Sequence, residues 1–248
     1  MAGTKVRLHV DQPLGAGQAV AVAEGQANYL FQVMRLGPGD RVALFNGRDG
    51  EWLAEVAEAG KRRGILVCQA LSRPQGAPPD LWLLFAPVKK ERTNFIVEKA
   101  VELGVARILP VSTRRMNAER IRADKQVLHA VEAAEQCGAT WVPGVEELQP
   151  LDRLLDGWAT AGGPVRRIFW ADEARAEAGG DTGWAAGRAG EPAAILIGPE
   201  GGFAPEERAR LQALPAVTPV SLGPRILRAE TAVLAALVLW QSRFGDWR

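Results

Sequence analysis

Ile195-Leu196-Ile197-Gly198-Pro199-Glu200-Gly201-Gly202-Phe203 is a short apolar run that breaks into three glycines and a proline around one carboxylate. Backbone without Cβ atoms lets amide and carbonyl groups come close enough to hydrogen-bond a flat heterocycle. The same composition also makes a tight turn, so this segment alone leaves both readings open. It lacks the lysine and hydroxyl that follow the last glycine of a Walker loop, and it does not fit the Rossmann spacing. A phosphate-gripping hydrolase or kinase-like enzyme is disfavoured on that ground. A second loop, Leu222-Gly223-Pro224-Arg225-Ile226-Leu227-Arg228-Ala229-Glu230-Thr231, moves the balance towards a ligand site. Arg225 and Arg228 bracket Ile226-Leu227, and Glu230-Thr231 falls where a helix dipole favours negative charge. Arg228 either faces a ligand or pairs with Glu230 or Glu200 to fix the loop.

Both loops follow short apolar runs that read as strands, and loops at the carboxyl ends of strands form the binding crevice of open α/β sheets. Leu81–Phe85, Arg107–Val111, Val165–Trp170, Ala193–Ile197 and Val217–Ser221 are such strands, separated by helical segments. That alternation predicts an α/β domain with a mostly parallel sheet. Ile96, Ala100 and Leu103 recur at helical spacing opposite Glu91, Asn94, Glu98 and Glu102, and Gly104 is placed to end that helix. Ala118–Gly138 reads as a second helix, and Asp181–Ala189 is too rich in glycine and alanine to assign.

The N-terminal part has a different rhythm. Val6–Val10, Ala19–Ala23, Arg41–Phe45, Trp52–Val56 and Ile65–Leu71 read as strands, with one helical stretch, Gln26–Met34. Asn46-Gly47 and Asp49-Gly50 supply the left-handed backbone positions a hairpin or longer turn requires. A small β-barrel-like domain is expected over residues 1–73, a proline- and glycine-rich linker over 74–80, and the α/β domain over 81–248.

Composition narrows the function classes. With 248 residues and 47% hydrophobic content, the chain can build two modest cores. The longest apolar run, Ala232–Trp240, is short of the roughly 20 residues a membrane helix needs, and nothing near Met1 reads as a secretory leader, so a cytoplasmic protein is expected. Cys68 and Cys137 read as structural thiols, His9 and His129 are solitary, and no metal site is predicted. The formal charge is only +1, yet residues 86–125 carry ten cations against five acids, a local excess of +5. Solvated helix faces with internal ion pairs account for part of that excess.

The two loops, taken together, resemble those of the 16S ribosomal RNA uracil-N3 methyltransferase family of the SPOUT superfamily. Glu98-Lys99-Ala100-Val101-Glu102-Leu103-Gly104-Val105, Glu135-Gln136-Cys137-Gly138 and Arg35-Leu36-Gly37-Pro38-Gly39-Asp40 are similar to further segments of that family, in the same order along the chain. The resemblance implies an N-terminal PUA-like β-barrel that binds RNA and a C-terminal domain with a deep trefoil knot. It implies S-adenosylmethionine as cofactor, 16S rRNA of the small ribosomal subunit as substrate, and a homodimer. Its cofactor residues would be Trp170, Ala171, Ile197, Gly198, Pro199, Glu200, Gly201 and Gly202 around the first loop. Around the second they would be Ser221, Leu222, Gly223, Ile226, Leu227, Arg228 and Thr231. Arg7, Arg35, Lys89, Arg92, Arg114 and Arg115 would contact RNA. Two stretches depart from the family pattern. Trp170-Ala171-Asp172-Glu173 stands where a His-Glu pair is common, and Thr113-Arg114-Arg115-Met116 replaces a commoner Glu-Arg-Ser/Cys.

The implied reaction moves a methyl group from the sulfonium to N3 of one uridine, which requires alignment and stabilisation of the deprotonated imide. Arg228 or Arg7 would face the uracil oxygens; the sequence does not identify the proton acceptor, for which Glu200 is a candidate. A non-catalytic ribosomal RNA-binding protein is the rival expectation, separable by cofactor binding.

Overall fold

The computed structural model describes residues 6–116, 121–158, 166–175 and 183–247. Residues 118–120 of the expected second helix, Val165 at the start of an expected strand, and Asp181-Thr182 lie outside them. Two compact units result: Met1–Ala77 with Ala134–Val142, and Pro78–Ala133 with Pro143–Arg248. The break at Ala77/Pro78 falls inside the proline-rich stretch. The return of residues 134–142 to the first unit is a feature that a linear reading of composition does not contain.

In the first unit, β1 (Arg7–His9), β2 (Ala19–Val22), β3 (Arg41–Phe45), β4 (Glu51–Ala59) and β5 (Gly64–Arg73) form a sheet ordered β1-β3-β4-β5-β2. Only β1 and β3 run parallel, and the other pairs are antiparallel. The β3–β4 turn follows its sequence signals. The Asn46 side-chain oxygen accepts the amide hydrogens of Arg48 and Asp49, while Gly47 and Gly50 take φ of 76° and 79°. The expected helix is a turn of α-helix, α1 (Glu24–Ala27), continued as a π-helix over Asn28–Val33. Val20, Leu30, Val42, Leu44, Ala54 and Leu66 close the core beneath this sheet.

The second unit holds β6 (Leu81–Phe85), β7 (Arg107–Ser112), β8 (Gly144–Val145), β9 (Gln149–Pro150), β10 (Arg167–Ala171), β11 (Ala193–Ile197) and β12 (Val217–Val220). Their order is β12-β10-β11-β6-β7-β8, with β9 beside β7, and every pairing is parallel. All five residues of β11 are buried, as a strand covered on both faces must be. The helices are α2 (Lys90–Glu102), α3 (Ala123–Cys137), α4 (Leu151–Trp158), α5 (Pro205–Ala213) and α6 (Ala229–Phe244). Residues 134–137 of α3 belong to the first unit. Gly104, at φ 74°, terminates α2 as its position predicts.

Candidate functional site

Three neighbouring strands, β12, β10 and β11, end at one edge of the sheet, and the loops leaving them surround an open cavity of about 680 Å3. Trp170–Glu173 follow from β10. Ile197 ends β11, Gly198–Glu200 and Phe203 come from the loop after it, and Leu222, Gly223, Arg225, Ile226 and Leu227 from the loop after β12. Arg208 of α5 and Ala229 and Ala232 of α6 complete the lining. A crevice at the carboxyl ends of parallel strands is where such sheets bind ligands. Every lining residue belongs to the second unit.

The first loop is shaped by close packing. A Cβ on Gly198 would stand 2.6 Å from the Phe203 ring, and Gly202, at φ 67°, would carry one 2.2 Å from Oε1 of Glu173. Glycine is therefore required at both positions. Gly201 is exposed, with no neighbour nearer than 3.5 Å to such a Cβ. In the second loop Gly223 takes φ 106°, and its amide donates to the Ser221 hydroxyl at 3.2 Å. The Ser221 carbonyl accepts from the buried Trp184 indole at 3.2 Å.

Charged partners anchor both loops. Arg92 of α2 donates to the Glu200 carboxylate and lies 3.6 Å from Glu230 of α6. Glu207 is buried at the start of α5. It accepts the Ala204 amide hydrogen at 2.8 Å and the Arg114 amide hydrogen at 2.8 Å, fixing the helix entry. Arg115 reaches the Gly201 carbonyl at 3.3 Å. At the cavity wall, Arg208 pairs with buried Asp172 at 2.9 Å and sits 5.2 Å over the Trp170 ring.

Among the cofactor residues expected from sequence, Trp170, Ala171, Ile197, Gly198, Pro199, Glu200, Leu222, Gly223, Ile226 and Leu227 line the cavity. Gly201, Gly202, Ser221, Arg228 and Thr231 stand beside it and are not part of the lining. Arg228 is exposed at the N-cap of α6, and Thr231 is exposed in that helix. The lining also holds Asp172, Glu173, Phe203, Arg208, Arg225, Ala229 and Ala232, which are not among the cofactor residues expected from sequence. In sequence, Asp172 and Glu173 stand out only as a departure from a His-Glu pair, and Arg208 sits in an ordinary charged helix face with no signal of its own.

Arg7 lies in the first unit. Its guanidinium donates to Glu51 at 2.7 Å and to the carbonyls of Ala134, Glu135 and Ala139. Those four bonds hold it as the cap of the α3 carboxyl end. Arg35 is exposed, with a left-handed φ of 58°, and Lys89 is exposed at the N-cap of α2. Among the described residues, no three His, Cys, Asp or Glu side chains gather in a way that could hold a metal ion.

Residues 75–241 match the family described as RNA methyltransferase domain, and residues 22–67 match the one described as RNA methyltransferase PUA domain. The chain is 32% identical to a ribosomal RNA small subunit methyltransferase E of Mycobacterium bovis, over 88% of this chain and 85% of that protein. A Rickettsia conorii protein of the same name is 27% identical over 93% of each. The crystal structure of a Neisseria gonorrhoeae ribosomal RNA small subunit methyltransferase E bound to S-adenosyl methionine superposes with a TM-score of 0.85. It is 27% identical, over 98% of this chain and 99% of that one. A Legionella pneumophila methyltransferase in complex with the same cofactor gives 0.82 at 28% identity, over 98% of this chain and all of that one.

Proposed function

Since the chain belongs to the RNA methyltransferase family, whose domain covers residues 75–241, we propose that it methylates N3 of one uridine in 16S rRNA of the small ribosomal subunit. It is an S-adenosylmethionine-dependent rRNA methyltransferase. The observation that carries the reading is the cavity at the ends of β10, β11 and β12, in a fold that holds this cofactor in the gonococcal relative.

The residues present fit the cofactor. Gly223 lines the cavity with open space beside its α-carbon, so backbone is exposed to a flat ring there. Leu222, Ile226 and Leu227 supply apolar contact, and the lining contains no lysine to hold a triphosphate. When bound, the cofactor supplies an electrophilic methyl group on a sulfonium. The chain's part is to orient, exclude water and stabilise charge. Arg225 on the lining and Arg228 at the start of α6 are the cations for the uracil oxygens, and Glu200, held by Arg92, is the proposed proton acceptor. The PUA-like unit and the exposed cations Lys89, Arg114 and Arg115 would contact rRNA.

Around the cavity, the loops after β11 and β12 would form a deep trefoil knot, and two copies would work as a homodimer in the cytoplasm. Calorimetry with S-adenosylhomocysteine and with ATP tests the cofactor, and labelled methyl transfer to hypomethylated small subunits tests the reaction. The expected result is binding of the first ligand alone and one methyl-N3-uridine per particle. Binding of ATP without S-adenosylhomocysteine, or RNA binding without methyl transfer, would favour the rival readings.

A further inference from the structure

The adenosine portion of the cofactor carries no charge, yet the cavity wall holds an arginine set into it by a buried acid. Asp172, just beyond the end of β10, keeps only 5% of its side chain exposed and accepts the Ala174 amide hydrogen at 3.1 Å. Its Oδ1 also pairs with Nη1 of Arg208 at 2.9 Å. The arginine in turn lies over the buried Trp170 ring, with 23% of its side chain open. A guanidinium has five N–H donors in a planar fork, more than one carboxylate can use, which leaves donors for a second carboxylate. Beside it stands Glu173, exposed and on the cavity lining, with Oε1 directly over the α-carbon of Gly202.

We propose that Arg208 and Glu173 form the subsite for the amino-acid end of S-adenosylmethionine, Arg208 receiving its carboxylate and Glu173 its ammonium. The proposal rests on the cofactor reading above and assigns roles to two side chains that reading does not use. Asp172 is a positioning residue. It neutralises a guanidinium that would otherwise sit half-desolvated against an indole, and it fixes the direction of the fork. Arg225 is more exposed than Arg208 and so remains available to the larger substrate. A cation fixed by Asp172 and an anion on the same cavity lining match the two charges of the zwitterion, which a single surface charge would not.

The test compares S-adenosylhomocysteine with 5′-methylthioadenosine, which has the same nucleoside and thioether but no amino-acid end. Decarboxylated S-adenosylmethionine isolates the carboxylate. Wild type should prefer S-adenosylhomocysteine over methylthioadenosine by about tenfold or more. Arg208→Gln should weaken S-adenosylhomocysteine by about tenfold while leaving methylthioadenosine and the decarboxylated cofactor within about twofold. Glu173→Gln should weaken both ammonium-bearing ligands and spare methylthioadenosine. Since Arg208→Gln leaves Asp172 buried without its partner, the double variant with Asp172→Asn, which removes both charges, keeps the comparison interpretable if the single variant fails to fold. Equal loss for all three ligands, or no loss, in folded variants overturns the subsite and leaves the cofactor reading standing. A wild type that binds none of the three overturns both.

Discussion

Gly201 and Gly202 are adjacent and alike in sequence, and the structure separates them. Gly202 is buried in a left-handed conformation with Glu173 against its α-carbon, whereas Gly201 faces solvent with ordinary room for a side chain. Gly202→Ala should therefore lower cofactor affinity by about tenfold or more, since the strained φ and the displaced carboxylate act together. Gly201→Ala should bind within about twofold of wild type. Titration calorimetry of the two variants checks this, and equal losses would place the constraint in the glycine-rich loop as a whole. Gly223→Ala should resemble Gly202→Ala, because its φ of 106° is equally unsuited to a Cβ.

The end of α3 is held by a buried charge network rather than by apolar packing alone. Burial pushes the Glu51 carboxyl up, but hydrogen bonds from Arg73, Arg7 and Ser72 outweigh it and bring it down to about 2. A carboxyl whose folded value is depressed contributes stability above its unfolded value and loses it as pH falls. Here that window runs from about 4.5 down to about 2, and the full contribution is about 3 kcal/mol at most. Wild type should lose stability steeply across that window, while Glu51→Gln should be less stable at neutral pH and should lose less across it, Asp49 and Asp124 keeping their own acid dependence. Urea unfolding at a series of pH values reads this, and parallel curves for the two proteins would refute it. Arg7→Met removes the donor to three carbonyls as well as to Glu51 and should cost about 3 kcal/mol.

Self-association belongs to the whole molecule. Leu237 is fully buried within its own chain, so Leu237→Glu would unfold the unit and say nothing about a dimer. Val238 is the useful probe, since it keeps 39% of its surface exposed on a helix whose opposite face is buried. Wild type should scatter light as a dimer at low micromolar concentration and Val238→Glu as a folded monomer. A wild-type monomer with full activity would refute the dimer. Substrate size is a second property at this scale. Methyl transfer to small subunits should fall steeply with added salt, as contacts to rRNA phosphates release counterions. Equal turnover on free uridine monophosphate would contradict a ribosomal substrate.

The apolar runs of β6, β7 and β11 and the glycine punctuation after β11 and β12 were legible from sequence because they are local. Periodicity, burial on both faces and left-handed turns are properties of neighbouring residues. The two-residue strands β8 and β9 carry too little pattern to read, whereas Leu151, Leu154, Leu155 and Trp158 of α4 recur at helical spacing and do mark its buried face. At the site, both loops could be found from the chain, but their floor could not. Asp172, Arg208 and Trp170 come from two elements, β10 with the turn after it and α5, and only the parallel pairing of β10 and β11 and the path into α5 set them side by side. The same holds for Arg7, whose sequence context reads as a free basic residue on a strand. Its role is decided by carbonyls more than 120 positions along the chain. Propensity is encoded in nearest neighbours, whereas a buried charge takes its partner from whatever the tertiary fold brings within hydrogen-bond reach.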